Sequence, residues 1–92
     1  MAKYDEASVT AFNFVREAVG ALRLPLIQQR RYNGILNAIE MQIEDGEPSL
    51  QVIRYLRAAL FSLLAHDELD EYNAVIEAAF DRFDREMSLR HA

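Results

Sequence analysis

The residues best equipped for chemistry in this chain are two histidines, His66 and His91, and the carboxylates that follow the first of them, Asp67, Glu68, Asp70 and Glu71. A histidine that accepts a phosphoryl group needs open approach, with a lysine and a glycine beside it. At His66 acids follow instead, and they would repel the phosphate. A place at the C-terminal end of a helix, where the dipole favours the imidazolium, accounts for His66 better. His91 stands near the end of the sequence and has no second ligating partner nearby. The carboxylates lack the Glu-x-x-His pairing of a di-metal bundle and the central glycine and alternating oxygen ligands of a calcium loop. A solvated helix start is therefore expected for them. The sequence also has no glycine-rich phosphate loop and no Gly-x-Ser-x-Gly elbow. It has no cysteine, which removes a thiolate metal site, a disulfide framework and a cysteine nucleophile. The expectation is a non-enzymatic chain with no metal and no cofactor.

Two groupings could instead bind macromolecules. Gln28-Gln29-Arg30-Arg31 opens a helix much as polar and basic residues open a recognition helix, so Gln28, Arg30 and Arg31 are the candidate nucleic-acid contacts, with Arg23, Arg54 and Arg57 extending the patch. Against nucleic acid stands a net charge of −5. Acids and bases cancel up to Glu44, so the whole excess lies in the second half, which should repel nucleic acid and anionic lipid. The other grouping is acidic. At about 100° per residue, Asp70, Glu77, Asp81 and Asp84 share one arc of the last helix with Arg85 beside them. That stripe suits a protein partner with a basic surface and would speed encounter by electrostatic steering.

The elements that carry these residues are helical. Phe12, Val15, Val19 and Leu22 give a first helix one buried face from about Asp5, a natural cap, to Leu22. Pro25 opens a second helix that runs to about Glu44 with Tyr32, Ile35, Leu36, Ile39 and Ile43 on one side. Within it Gly34 costs about 1 kcal/mol relative to alanine, which implies a close helix crossing or a local bend. Glu44-Asp45-Gly46-Glu47-Pro48 then stops one helix and starts the next. The third helix, from about Pro48 to Ala65, buries Ile53, Leu56, Leu60 and Leu63. Tyr55, Phe61 and Leu64 project well away from that stripe, so they either pack against a further helix or meet a partner. The fourth helix, from Asp67 or Leu69 to about Ser88, places Leu69, Tyr72, Ile76, Phe80, Phe83 and Met87 on one face.

Residues 8–22 and 49–63 read as two versions of one helix: Phe12 aligns with Ile53, Phe14 with Tyr55, Arg16 with Arg57, Val19 with Leu60. Tyr32-Asn33-Gly34 and Tyr72-Asn73-Ala74 form a second pair. Either two amphipathic helices happen to agree or the halves are an internal duplication.

These features predict one all-α domain over residues 1–92, a four-helix bundle or two stacked helical hairpins (5–44 and 48–88). The opening residues are acidic and carry no apolar run, and no stretch approaches the roughly 20 apolar residues that cross a bilayer. A cytoplasmic protein is expected, in the host cytoplasm if the chain is phage-encoded. Its expected role is a protein-interaction module, such as a small acidic regulator or inhibitor of the accessory type, with Asp70, Glu77, Asp81, Asp84, Tyr55, Phe61 and Leu64 as its contacts. A helical DNA- or RNA-binding regulator and a structural homodimer or oligomer subunit are the alternatives.

Overall fold

Apolar periodicity makes the helices, and the contacts they find decide where they stop. The computed structural model describes residues 6–44 and 49–91. They form four α-helices, α1 Glu6–Gly20, α2 Leu26–Glu44, α3 Leu50–His66 and α4 Asn73–His91, with a 3-10 turn over Asp70–Tyr72. Among the described residues there is no strand, and no helix is long and apolar enough to cross a membrane. The cap expected at Asp5, and the stop and start expected at Gly46 and Pro48, lie outside the described residues.

The fold is a four-helix bundle in which α1 lies along α4 and α2 along α3, while α1 also meets α2. Each helix contributes one fully buried stripe. The stripes are Phe12, Val15 and Val19 on α1, Tyr32, Leu36, Ile39 and Ile43 on α2, Ile53, Leu60 and Leu64 on α3, and Ile76, Phe80, Phe83 and Met87 on α4. The rings of Phe12 and Phe83 join α1 to α4 at 5.2 Å, tilted by 58°. Phe61 and Phe80 join α3 to α4 at 5.9 Å. Such tilted pairs place the positive edge of one ring toward the negative face of the other.

The turns follow from backbone satisfaction. Ser49 caps α3, its Oγ accepting from the Val52 amide at 3.2 Å, while the Ser49 amide donates to Gln42 Oε1 at 3.0 Å and so ties the end of α2 to the start of α3. At the other end of α3 the Leu69 amide donates to the Leu64 carbonyl at 2.8 Å and the Glu68 amide to the Ala65 carbonyl at 3.1 Å. This is a Schellman stop, and it forces Glu68 into the left-handed region at φ 60°. Residues 67–69 are thus spent on ending α3. That is why α4 begins at Asn73 rather than at the expected Asp67 or Leu69, with Tyr72 left 38% exposed.

Two expectations change with the packing. Leu64 is fully buried and Phe61 is half-buried, whereas Leu56 is only half-buried. The helix α3 lies along α2 and reaches α4 through Phe61 and Arg57, so its buried arc is wider than one stripe. Nor, among the described residues, does a helix cross at Gly34: a Cβ built there would meet nothing within 4 Å.

Phe80→Ala should therefore cost about 3–5 kcal/mol in urea-induced unfolding, whereas Tyr55→Ala, on an exposed site, should stay within about 0.5 kcal/mol. Equal effects would contradict this core. Glu68→Gly should raise stability by up to about 1 kcal/mol by relieving the left-handed strain, and a loss would show that Glu68 is held there by something other than the turn.

Candidate protein-contact face

Two arginines at matching positions clasp neighbouring helices. Arg16 Nε donates to Glu40 Oε1 at 3.1 Å and its Nη2 to Asn37 Oδ1 at 2.6 Å, both on α2, with the guanidinium 5.6 Å above Phe12. Arg57 donates to Asp84 and, at 3.2 Å, to Asp81 Oδ1, both on α4, and lies 5.2 Å from the Phe80 ring and 5.9 Å from Phe61. The partner pairs Asn37 with Glu40 and Asp81 with Asp84 occupy equivalent positions. They do so in the same register that sets the buried Tyr32, Leu36, Ile39, Ile43 on the buried Ile76, Phe80, Phe83, Met87. Tyr32 therefore does not correspond to Tyr72. The two helices match one turn further along than the similar letters indicated.

The acidic stripe is correspondingly different from the one the helical arc described. Asp70 lies in the 3-10 turn, off α4. Asp81 and Asp84 accept from Arg57 and are about half-exposed, and Glu77 is exposed without belonging to that clasp. Burial lifts the Asp84 carboxyl above the ordinary range despite the Arg57 charge beside it, with the Asp81 charge adding to the lift. Arg57 was not visible as a partner because it lies 24 and 27 residues away on another helix. Of the basic candidates, Arg30 and Arg31 are exposed on α2 and Gln28 is half-buried. Among the described residues no group of three His, Asp or Glu side chains could hold a metal ion.

Of the three apolar candidates on α3, Leu64 is lost to the core and Phe61 is packed on Phe80, leaving Tyr55 at 72% exposure. Tyr55 stands at the rim of an open groove of about 580 Å³ between α2 and α3, lined also by Ile35, Ala58, Ala59, Ser62 and Leu63. A matching groove between α1 and α4 holds Phe14, Ala18, Val75 and Ala79. They differ in charge: Glu17 and Arg82 line the α1/α4 groove, whereas the α2/α3 groove has alanine, serine and leucine, with His66 at one end. In the α1/α4 groove the Arg82 guanidinium covers Phe14 at 4.1 Å; in the α2/α3 groove the equivalent position is Ala38, and Tyr55 stays uncovered. Beyond Ala38 the outer side of α2 continues apolar, with Ile27 at 69% and Met41 at 68% exposure. Sequence reasoning missed Ile27, Ala38 and Met41. The signal was present in the 4-3-4-3 spacing of Ile27, Arg31, Gly34, Ala38 and Met41, which keeps to one side of a helix.

Opposite this face, Tyr32 is fully buried and its hydroxyl donates to Asp67 Oδ2 at 2.8 Å, fastening α2 to the turn after α3. Burial, that hydrogen bond and the Asp67 charge all favour the neutral phenol and raise its pKa far above the ordinary tyrosine value, opposed by Arg31.

Comparisons with protein-family models, with curated proteins and with solved structures found no match.

A tyrosine whose folded pKa is raised contributes stability that is complete below its unfolded pKa, about 10, and is lost as pH rises beyond it. Tyr32→Phe should cost about 0.5–1.5 kcal/mol near neutral pH and should remove part of the alkaline destabilisation of the parent protein. Parallel stability-against-pH curves for the two proteins above pH ~10 would contradict this assignment.

Proposed function

We propose that this protein is a non-enzymatic interaction module, of the kind that serves as a small acidic regulator or inhibitor, and that it meets its partner through the α2/α3 face. The observation that carries the reading is Tyr55. Where α1 and α4 build the same groove, an arginine covers the aromatic ring; where α2 and α3 build it, the ring is left in water beside alanine, serine and leucine. Exposed tyrosine next to small apolar residues and free of flanking carboxylates is the composition of an energetic centre in protein contacts. Along the groove side of α3, Gln51, Val52, Tyr55, Ala58, Ala59 and Ser62 carry no charge, with Arg54 exposed beside them and His66 at the end of the row.

The acids act at longer range. The excess negative charge lies after Glu44, and Asp70, Glu71 and Glu77 are exposed in the turn after α3 and on α4. That distribution favours a partner with a basic surface, and it would draw such a partner in before the apolar face makes contact. The two surfaces therefore separate kinetically. Contact-face changes act on dissociation and acid changes on association.

The test begins with partners purified on the tagged protein with and without nuclease. Tyr55→Glu should lose a directly bound protein partner while the helical circular dichroism stays intact. Replacing Asp70, Glu71 and Glu77 by their amides, with the Arg57 partners Asp81 and Asp84 kept, should slow association and weaken its salt dependence without abolishing binding. Partner binding that survives Tyr55→Glu would overturn the reading. A nucleic acid bound directly and released by Arg30→Ala with Arg31→Ala would replace it with a nucleic-acid-binding function.

A further inference from the structure

The outer side of α2 carries a glycine that the single chain does not use. Gly34 sits in mid-helix, where glycine weakens a helix relative to alanine, and an added Cβ would meet nothing within 4 Å. No turn or close approach inside the chain requires it. It is also centred between the two most exposed large apolar side chains of that surface: Ile27 is seven residues before it and Met41 seven after, at 69% and 68% exposure.

This pattern is self-complementary. We propose that α2 pairs with the α2 of a second copy of this chain, antiparallel, about a two-fold axis at Gly34. The proposal rests on the reading of the α2/α3 face as a contact surface and names the occupant of its α2 side. Antiparallel pairing centred there sets Ile27 of each copy against Met41 of the other, and glycine against glycine where the backbones come closest. Ala38 then lies opposite Arg30 and leaves room for the guanidinium. Charge selects this orientation over a parallel one. The first half of α2 and the turn before it carry the exposed Arg23, Arg30 and Arg31, and the second half ends on the exposed Glu44, Glu40 being held by Arg16 of α1. Antiparallel copies lay the basic half of one over the acidic half of the other, whereas parallel copies would stack like on like. The interface is isologous, so it closes at two copies and does not propagate.

The absence of cysteine from the sequence makes the test direct. Gly34→Cys introduces a single thiol at the axis, where its nearest thiol is its own counterpart within disulfide reach. Two thiols then lose two electrons to added oxidised glutathione and form one covalent dimer. The expected results are that the parent protein sediments at twice the mass of one chain at high concentration, that Gly34→Cys crosslinks readily, and that a control thiol at the exposed Asn13 on α1 does not. Ile27→Glu should give a monomer with unchanged helical dichroism. Arg30→Glu with Arg31→Glu should weaken the dimer. A parent protein monomeric at every concentration, with Gly34→Cys crosslinking no faster than the Asn13 control, would overturn the proposal. So would a dimer indifferent to Ile27→Glu. If the parent is monomeric but a different protein still binds in a Tyr55-dependent way, self-pairing fails while the contact face stands. If neither self-pairing nor any Tyr55-dependent binding occurs, both fail.

Discussion

An arginine laid over an aromatic ring and bonded across to the next helix occurs twice in this bundle, and the lateral order of the helices depends on it. The helices α1 and α4, and α2 and α3, lie along one another. At Arg16 and Arg57 the helices α1 and α2, and α3 and α4, are joined by a guanidinium that lies by Phe12 or Phe80 and whose nitrogens reach Asn37 and Glu40, or Asp81 and Asp84, in addition to the Phe61–Phe80 contact. Both guanidinium groups are partly in water, so the ion pairs themselves contribute modestly, of order 1 kcal/mol or less each. Their larger effect is steric and hydrophobic: the arginine stem and plane seal the edge of the core, where a shorter side chain would leave a ring open to solvent. Core burial supplies most of the stability, and the clasps set which faces remain outside.

That constraint gives the exposed surface its meaning. A helix in such a bundle buries one stripe, spends a flank on each neighbour and has a single outer strip left over. On α1 the strip is Glu6, Thr10, Asn13 and Glu17, which is well solvated. On α2 and α3 it is apolar or uncharged over most of its length. The arginine that covers the equivalent groove on α1 and α4 is replaced there by alanine. Exposed apolar surface of this kind is what the proposed contact face consists of.

Much of this was legible in the sequence, for reasons that also explain what was not. The four helices, the burial of Leu60, Ile76 and Phe80, and the absence of strand follow from periods that repeat within one helix. Burial of Leu64 and the half-burial of Leu56 depend on how many neighbours α3 has, which no single-helix pattern contains. The clasp of Arg57 on Asp81 and Asp84 joins separate helices, so the acids looked unopposed along their own helix. The start of α4 was misplaced because Glu68 takes a left-handed conformation usually reserved for glycine, and its side chain gives no warning of that. The register of α4 on α2 was similarly hidden: Tyr32 and Tyr72 share a letter, but burial and arginine pairing match Tyr32 to Ile76. Gly34 was conspicuous, but among the described residues no helix crosses at it.

The most direct measurement of the central claim, that the α2/α3 face is where this protein makes contact, is oxidative footprinting of the unmodified protein as it is concentrated. Met41 and Tyr55 stand exposed on that face, Met87 is buried in the core, and Phe14 marks the opposite groove. The account predicts that Met41 oxidation slows with concentration, that Tyr55 is protected whenever a partner is bound, and that Met87 and Phe14 keep their rates throughout. Constant reactivity of Met41 and Tyr55, with protection appearing at Phe14 instead, would contradict it.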